Sequence, residues 1–553
     1  MTFIQAPPTL GNTFDDDHLL KSYLERKLPG DARAAIAAEL REVGALAGGP
    51  LYRLATEQGR EEPKLVSWDP WGNRIDRIEL PALWKEAARI AAERGVVAAA
   101  YERKFGEHSR VLQFGLVYLI EPSWHVYSCP LAMTDGAART LLASGNAALI
   151  ERALPRLTSR DPEKAWTSGQ WMTERTGGSD VAISETIARP EGDRFRLYGT
   201  KWFTSATTSQ MTLTLARPEG NPPGGRGLAL FYLEVRNADG TPNGVLVNRL
   251  KDKLGTRMLP TAEVTLDGAL AMPVWGMGDG IKHITPMLTT TRTWNTVCAA
   301  AGMRRATSLA ADYAHKRVAF GAPLGDKPLH TDTLAWNAAE SYAAFLLAFR
   351  IVELMGKEEA KTLSEEEQSL FRLVVPLAKL TTGKQAVAVA SESLEAFGGA
   401  GYIEDTGLPR LMRDAQVLPI WEGTTNVLAL DVLRVLSRGG SLAPLVAEIE
   451  RCVQNARDPS LREPAETASR AMRHAGEWVA KSVDTPAKVE QGARRFALTL
   501  GRALELALLV DHAQWALEHQ KDGRFAAAAR IFAKTPIDLI LDASIEDARA
   551  VLA

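Results

Sequence analysis

Cysteine is scarce: the 553-residue chain carries three, Cys129, Cys298 and Cys452. They lie far apart and form no CxxC pair. That argues against a disulfide framework or a zinc site, and reads as small apolar core residues in a reducing compartment. Long apolar runs are missing as well. None reaches the about 18 residues that mark a membrane-spanning helix, so no membrane association is expected. The opening MTFIQAPPTLGNTFDDDHLL has no basic segment leading into an apolar one, and none of the Arg-rich, acid-poor character of a transit peptide. The closing VLA is not a peroxisomal address. A cytoplasmic protein is the expectation. Net charge is nearly absent, at −2, whereas a dedicated nucleic-acid binder usually shows a basic excess. There is no short repeat and no low-complexity tract.

What is present is ordinary globular composition, 46% hydrophobic and 24% charged, in a chain long enough for three or four domains. Residues 1–165 read as an N-terminal segment and helical domain; LPALWKEAARIAAERGVVAAAYER (Leu80 to Arg103) has helical spacing, and breaks are expected at Gly145-Asn146 and Pro155. Residues 166–277 carry strand-like segments, FRLYGTKWFTSA, MTLTLARP, GLALFYLEV and AEVTLDG, separated by turn clusters. Helical patterning returns over 278–437, in helices apolar on much of their surface that should pack on several sides. After the break RGGSLAP, residues 441–553 form a further helical block whose acids and bases nearly cancel. The fold class is therefore α+β, a β domain between helical blocks with an extra helical block behind.

Six short segments carry possible chemistry. TERTGGSD, ending at Asp180, offers the Thr173 and Ser179 hydroxyls, with Gly177 and Gly178 open to close ligand approach; alone it reads as a turn. GTKWFTS, from Gly199, could lay aromatics over a flat ring, although strands favour such residues anyway. RVAFGAPL, from Arg317, offers a guanidinium for pyrophosphate, or an arginine at a helix C-terminus with Gly321 as its stop signal. EAFGGAGY, from Glu395, brings bare backbone between helices, or simply ends a helix. LMRDAQ and IWEGTTN follow, and Glu422 beside Trp421 and Gly423 is a candidate buried base, although a lone Glu is more often solvated.

Together and in this order, these segments resemble the acyl-CoA dehydrogenase superfamily over roughly residues 84–436. The C-terminal block, PPTLGNTF, WMTERTGGSDV and LKDKLGTR look closest to its AidB-like branch. The resemblance implies an acyl-CoA dehydrogenase-like fold and a non-covalent FAD between the β domain and the following helical domain. It places Met172, Thr173, Gly178 and Ser179 by the flavin ring or the substrate entrance. Phe203 stands where many relatives have tryptophan, and Ser205 where they have threonine near flavin N5. Arg317 and Phe320 match positions that grip FAD across a subunit interface, which implies a homotetramer. Glu395 and Gly399 lie in a second cofactor segment, Glu395 replacing a common Gln, and Thr424 and Asn426 match further cofactor contacts. Arg292, in TTTRTW, matches a residue near the substrate entrance; Thr289, one turn earlier, replaces an acid found in some relatives.

Glu422 matches the family's catalytic base. An α-proton of a thioester is weakly acidic, and removing it requires a carboxylate within about 3 Å. FAD would supply the hydride acceptor. The implied partners are an acyl-CoA or related thioester, and an electron acceptor such as an electron-transfer flavoprotein or oxygen. An AidB-like role in alkylation stress with DNA binding, or an oxygen-using oxidase, are the alternatives. DNA is disfavoured by the near-neutral 441–553 block, since phosphate contacts need clustered Lys and Arg.

Overall fold

A computed structural model describes residues 5–124 and 126–553. Its contacts divide the chain into two interleaved units.

The first unit comprises Pro50–Lys104 and Glu121–Trp294. It opens with a feature the helical reading of the N-terminal part did not include, an antiparallel hairpin of β1 (Lys64–Trp68) and β2 (Arg74–Glu79). The cause is local. The Asp69 carboxylate accepts from the amides of Trp71 (2.9 Å) and Asn73 (2.8 Å), closing a turn over Gly72 that reverses the chain. The single helix expected over Leu80–Arg103 is two, Ala82–Glu93 and Ala98–Glu102, parted at Gly95, whose φ is +61°. The break at Gly145-Asn146 is present: Gly145 ends Ser128–Ser144 in a left-handed conformation, and the Asn146 side chain caps Ala147–Leu157. The break expected at Pro155 is not. The helix runs through it to Leu157, and Glu151, whose carbonyl loses its helix partner to the proline ring, is exposed to water.

The sheet of this unit has seven strands, β3 (Ser168–Trp171), β4 (Ile187–Glu191), β5 (Arg194–Ser205), β6 (Met211–Pro218), β7 (Ala229–Glu234), β8 (Val245–Leu250) and β9 (Thr261–Pro273), in the order β3-β6-β4-β5-β9-β7. β8 pairs with β9, and β7 pairs with β6 as well as β9, so five strands close on themselves. Trp171, Leu197, Phe231, Leu233, Val264 and Leu266 fill the interior. Closure leaves few free edges and fixes register, because a one-residue slip would turn these side chains outward.

The second unit holds the described part of Met1–Gly49, with Phe105–Ile120 and Asn295–Ala553. Its frame is the helices Pro328–Ala360, Glu365–Ala396 and Pro486–His519; the first two are buried on several sides, as the apolar patterning of 278–437 predicts, and the third is buried along much of its length as well. Glu365–Ala396 starts in a capping box: Ser364 Oγ accepts from the Glu367 amide, and the Glu367 side chain accepts from the Ser364 amide. A small hairpin, β10 (Val318–Ala319) and β11 (Ala322–Pro323), follows the helix Thr285–Lys316. Within the described residues, no helix is long and apolar enough to cross a membrane. All three cysteines are buried, and none forms a disulfide among the described residues.

One buried acid links the 365–396 and 486–519 helices. Glu505 is fully buried, and its Oε2 accepts from Gln385 Nε2 at 3.0 Å. Glu505 Oε1 and Gln385 Oε1 are both buried without a donor among the described residues. Burial pushes the Glu505 carboxyl well above the usual range, against the pull of Arg502. A proton on Glu505 makes it a donor among unsatisfied acceptors. Its folded pKa lies above its unfolded value, so its contribution is fully present below the unfolded pKa and is lost as pH rises through the folded one. Glu353 has the opposite sign: burial alone would raise it, but Lys27 and Arg350 bring it down to about 2, so its contribution is present above the unfolded pKa and is lost as pH falls toward that value. Glu505→Gln, which keeps an N–H donor at every pH, is expected to flatten the decline of the urea-unfolding midpoint as pH rises above the unfolded carboxylate range. An unaltered pH slope in the variant would show that burial does not raise the Glu505 carboxyl.

Candidate active site

In the strand-bearing unit, the segment after β3 is held by one carboxylate. Glu174 is buried, and its oxygens accept from Ser184 Oγ (2.5 Å), Thr186 Oγ1 (2.6 Å), the Glu185 amide (2.6 Å) and Lys201 Nζ (2.7 Å). Lys201, on β5, is itself fully buried and also donates to the Leu215 carbonyl at 2.8 Å. Burial would raise the Glu174 carboxyl, but the Lys201 ammonium and these hydroxyls overcome it and hold it at about 2. The Trp202 amide donates to the Thr173 carbonyl at 2.9 Å, fastening the same segment to β5 a second time. Met172 and Thr173 are half-buried; Gly178 and Ser179 are exposed. Gly177 has φ +119°, which a side chain would strain, and a Cβ on Gly178 would lie 2.6 Å from Thr173 Oγ1.

At the far end of β5, Phe203 is 56% exposed, unusual for a large apolar ring on a strand with a packed core behind it. Trp202 and Phe203 lie under the Lys251 ammonium, at 3.6 and 4.9 Å from the ring centroids. Ser205 is half-buried, its hydroxyl 3.2 Å from that of Thr261. Between them Thr204 turns inward and donates to the Ala262 carbonyl. Arg292 is half-buried; two residues on, Trp294 Nε1 donates 2.7 Å to Asp135, which also accepts from Tyr101.

In the helical unit, Arg317 directly follows the helix Thr285–Lys316 and is half-buried. Of the two readings of this segment, the one with Gly321 as a helix stop signal does not hold. The helix has already ended at Lys316, and Gly321 (φ +79°) with Phe320 (φ +52°) turns the β10–β11 hairpin, leaving Phe320 93% exposed at its tip. Glu395 and Gly399 are exposed around the 3-10 turn Gly398–Gly401, and a Cβ on Gly399 would meet nothing within 4 Å among the described residues.

Glu422 is half-buried with φ +57°, and Gly423 follows at +106°. A glutamate in the left-handed region is uncommon and is strained by about 1–2 kcal/mol. Lys379, fully buried on the 365–396 helix, donates to the Gly423 carbonyl at 2.6 Å. Trp421 Nε1 is a buried donor with no acceptor among the described residues. The Thr424 side chain caps the helix Thr425–Ser437, and Asn426 Oδ1 accepts from Arg494 at 3.3 Å.

Four family models match in sequence order: Adaptive response protein AidB N-terminal domain over residues 5–164, Acyl-CoA dehydrogenase, middle domain, over 169–269, Acyl-CoA dehydrogenase, C-terminal domain, over 278–437, and Acyl-CoA dehydrogenase 11 C-terminal domain-like over 441–543. The chain is 43% identical over 528 residues to acyl-CoA dehydrogenase family member 11 of Caenorhabditis elegans, covering 92% of this chain and 86% of the relative. It belongs to the acyl-CoA dehydrogenase family. It is also 31% identical over 492 residues to the putative acyl-CoA dehydrogenase AidB of Escherichia coli K12, covering 85% of this chain and 88% of that one. The N-terminal match sets it on the AidB-like branch. The crystal structure of C. elegans ACDH-11 in complex with C11-CoA superposes with a TM-score of 0.95 at 40% identity, covering all of this chain and 96% of that one.

As an acyl-CoA dehydrogenase-family enzyme, the protein carries two supporting residues that motif reading did not single out. Glu174 lay inside a quoted segment without a role, and its signal was the second charge, Lys201, in the next one. Lys379 had a plainer signal, a single charge within the apolar stretch LVVPLAKLTTG. Thr173 and Phe203 are in one unit; Arg317, Gly399 and Glu422 are in the other.

Proposed function

We propose that the protein is an FAD-dependent acyl-CoA dehydrogenase that introduces an α,β double bond into a fatty or branched acyl-CoA, with Glu422 as the base. The observation that carries this reading is the turn at Glu422: a half-buried glutamate on strained backbone, whose following carbonyl, that of Gly423, is held by the buried Lys379 ammonium and leads into a capped helix. Strain of this kind persists only where surrounding structure over-determines it, and it clusters at working sites.

The residues suit FAD. A flat ring needs an exposed aromatic face, hydrogen-bonding groups at its edge and close backbone. Phe203, the Thr173 and Ser205 hydroxyls, and Gly177-Gly178-Ser179 with Met172 beside them provide that set. The anionic pyrophosphate needs a guanidinium and bare backbone, which Arg317, the 398–401 turn and the neighbouring Glu395 segment present. Thr424, Asn426 and Phe320 complete the proposed cofactor contacts, and Arg292 the substrate entrance. Bound FAD supplies the acceptor for the hydride leaving the β-carbon. Glu422 takes the α-proton and holds it at its carboxylate. Backbone N–H groups facing the thioester oxygen would stabilise the charge that develops there, and Lys379 keeps the turn in place meanwhile.

The domain division 1–165, 166–277, 278–437 and 441–553 belongs to the same proposal, as do a homotetramer, in which a second copy covers exposed Phe320 and Tyr402, and a cytoplasmic setting, which the three buried cysteines, none in a disulfide among the described residues, favour. Membership in the AidB-like branch supports a second reading, an alkylation-stress flavoprotein that contacts DNA. The purified protein is expected to be yellow, to release FAD on heating, and to bleach anaerobically with one or more members of a chain-length panel of acyl-CoA thioesters. Re-oxidation by an electron-transfer flavoprotein or by oxygen then identifies the acceptor. No bleaching across the panel, with salt-sensitive retention on duplex DNA, would favour the second reading.

A further inference from the structure

We infer that Lys379 is a positioning residue for the base: its ammonium, bonded to the Gly423 carbonyl, locks the left-handed turn that aims the Glu422 carboxylate. This rests on Glu422 being the base. Lys379 is the one charged side chain in the buried run 373–383 of the Glu365–Ala396 helix, and it is 0% exposed. A lysine is almost never fully buried without a specific partner, because desolvating the ammonium is costly. Here that cation donates at 2.6 Å to the carbonyl of the residue after Glu422.

The position of the contact gives it meaning. Glu422 and Gly423 are consecutive residues at positive φ, +57° and +106°. Glycine adopts that region freely, but glutamate does not. Left alone, the 422–423 segment would relax toward negative φ and swing the carboxylate to a new direction. Three neighbours resist this. Lys379 clamps the Gly423 carbonyl from one side. The Thr424 cap starts the following helix, its hydroxyl accepting from the Val427 amide at 3.4 Å. On the other side, the Trp421 and Ile420 amides both donate to the Val417 carbonyl, at 3.1 and 2.9 Å. Of the three, only the Lys379 contact comes from outside the local chain, so it sets the turn's orientation against the helix beneath it. A Cβ on Gly383, one turn further along that helix, would lie 3.1 Å from the Leu418 carbonyl, so the segment leading into the turn lies close on the same helix.

The test compares wild type with Lys379→Met, which keeps the stem length and removes the ammonium. Flavin content, anaerobic bleaching by undecanoyl-CoA with and without deuterium at the α-carbon, and amide hydrogen exchange across residues 417–428 are measured on the holoenzyme. Lys379→Met is expected to keep its flavin, to exchange faster across that stretch, and to bleach about 100-fold more slowly. Its KM should be little changed and its α-deuterium effect larger, because proton abstraction becomes more fully rate-limiting. A merely structural role would not raise that isotope effect. Bleaching within twofold of wild type, or unchanged exchange at the turn, overturns the proposal. If Lys379→Met does not accumulate as a flavoprotein, Lys379→Gln, one bond shorter and out of reach of the carbonyl, is judged by the same readouts. If neither variant folds, Lys379 is a folding determinant and the proposal falls. Glu422→Gln run alongside separates the two ideas: wild-type bleaching there removes the base itself, whereas inert Glu422→Gln beside fully active Lys379→Met removes only the positioning role.

Discussion

Glu422→Gln is expected to bind FAD as the wild type does and to slow anaerobic bleaching by an acyl-CoA substrate by about 10²–10⁴-fold, the usual contribution of a positioned general base. The amide matches the carboxylate in size, and Glu422 is only half-buried on a turn set by backbone contacts. Little should therefore change in the fold. What disappears is the ability to hold a proton taken from the α-carbon. Flavin content and thermal unfolding within error of wild type, with bleaching nearly abolished, is the expected pattern. Bleaching at the wild-type rate would assign proton removal to another group. Loss of flavin along with activity would instead make the carboxylate part of the cofactor's binding.

The second large effect is expected at Glu174, which motif reading passed over. Glu174→Ala leaves the Lys201 ammonium fully buried with only the Leu215 carbonyl, and strips the acceptor from two hydroxyls and the Glu185 amide. Breaking one side of a buried pair costs about 3–5 kcal/mol, so the denaturation midpoint should fall accordingly. The loop carrying Thr173, Gly178 and Ser179 would lose its anchor, so weaker flavin retention should accompany the shift. Lys201→Met in the same chain removes the stranded charge and should recover part of the loss. A single variant destabilised by less than about 1 kcal/mol, a value typical of exposed ion pairs, would show that the pair is better solvated than its burial indicates.

The helical blocks, the strand-rich middle and the order of the motifs were legible in the chain because they depend on periodicity and on short-range chemistry. Gly145-Asn146 was readable as a break, since a left-handed glycine and a capping asparagine act within one turn. The β1–β2 hairpin was hidden: its turn depends on one aspartate closing back on two amides, a weak signal beside the helical sequence around it. Pro155 misled in the other direction, because a proline near a helix's end removes one bond without stopping the last turn. The role of Gly321 stays open in the chain, because a glycine just past a helix serves a cap or a hairpin equally well until the pairing of Val318 with Pro323 is known.

By itself the amino-acid order determined the family, the alternation of helical and stranded segments, and the residue types available for chemistry, since local periodicity and motif identity survive without coordinates. Only the tertiary structure decided that Lys201 neutralises Glu174, that Lys379 reaches the carbonyl beside Glu422, and that Glu505 is paired with an amide rather than a cation. Those pairings join residues between 27 and 120 positions apart, and what a buried charge does depends on which neighbour arrives to meet it, which spacing along the chain does not encode.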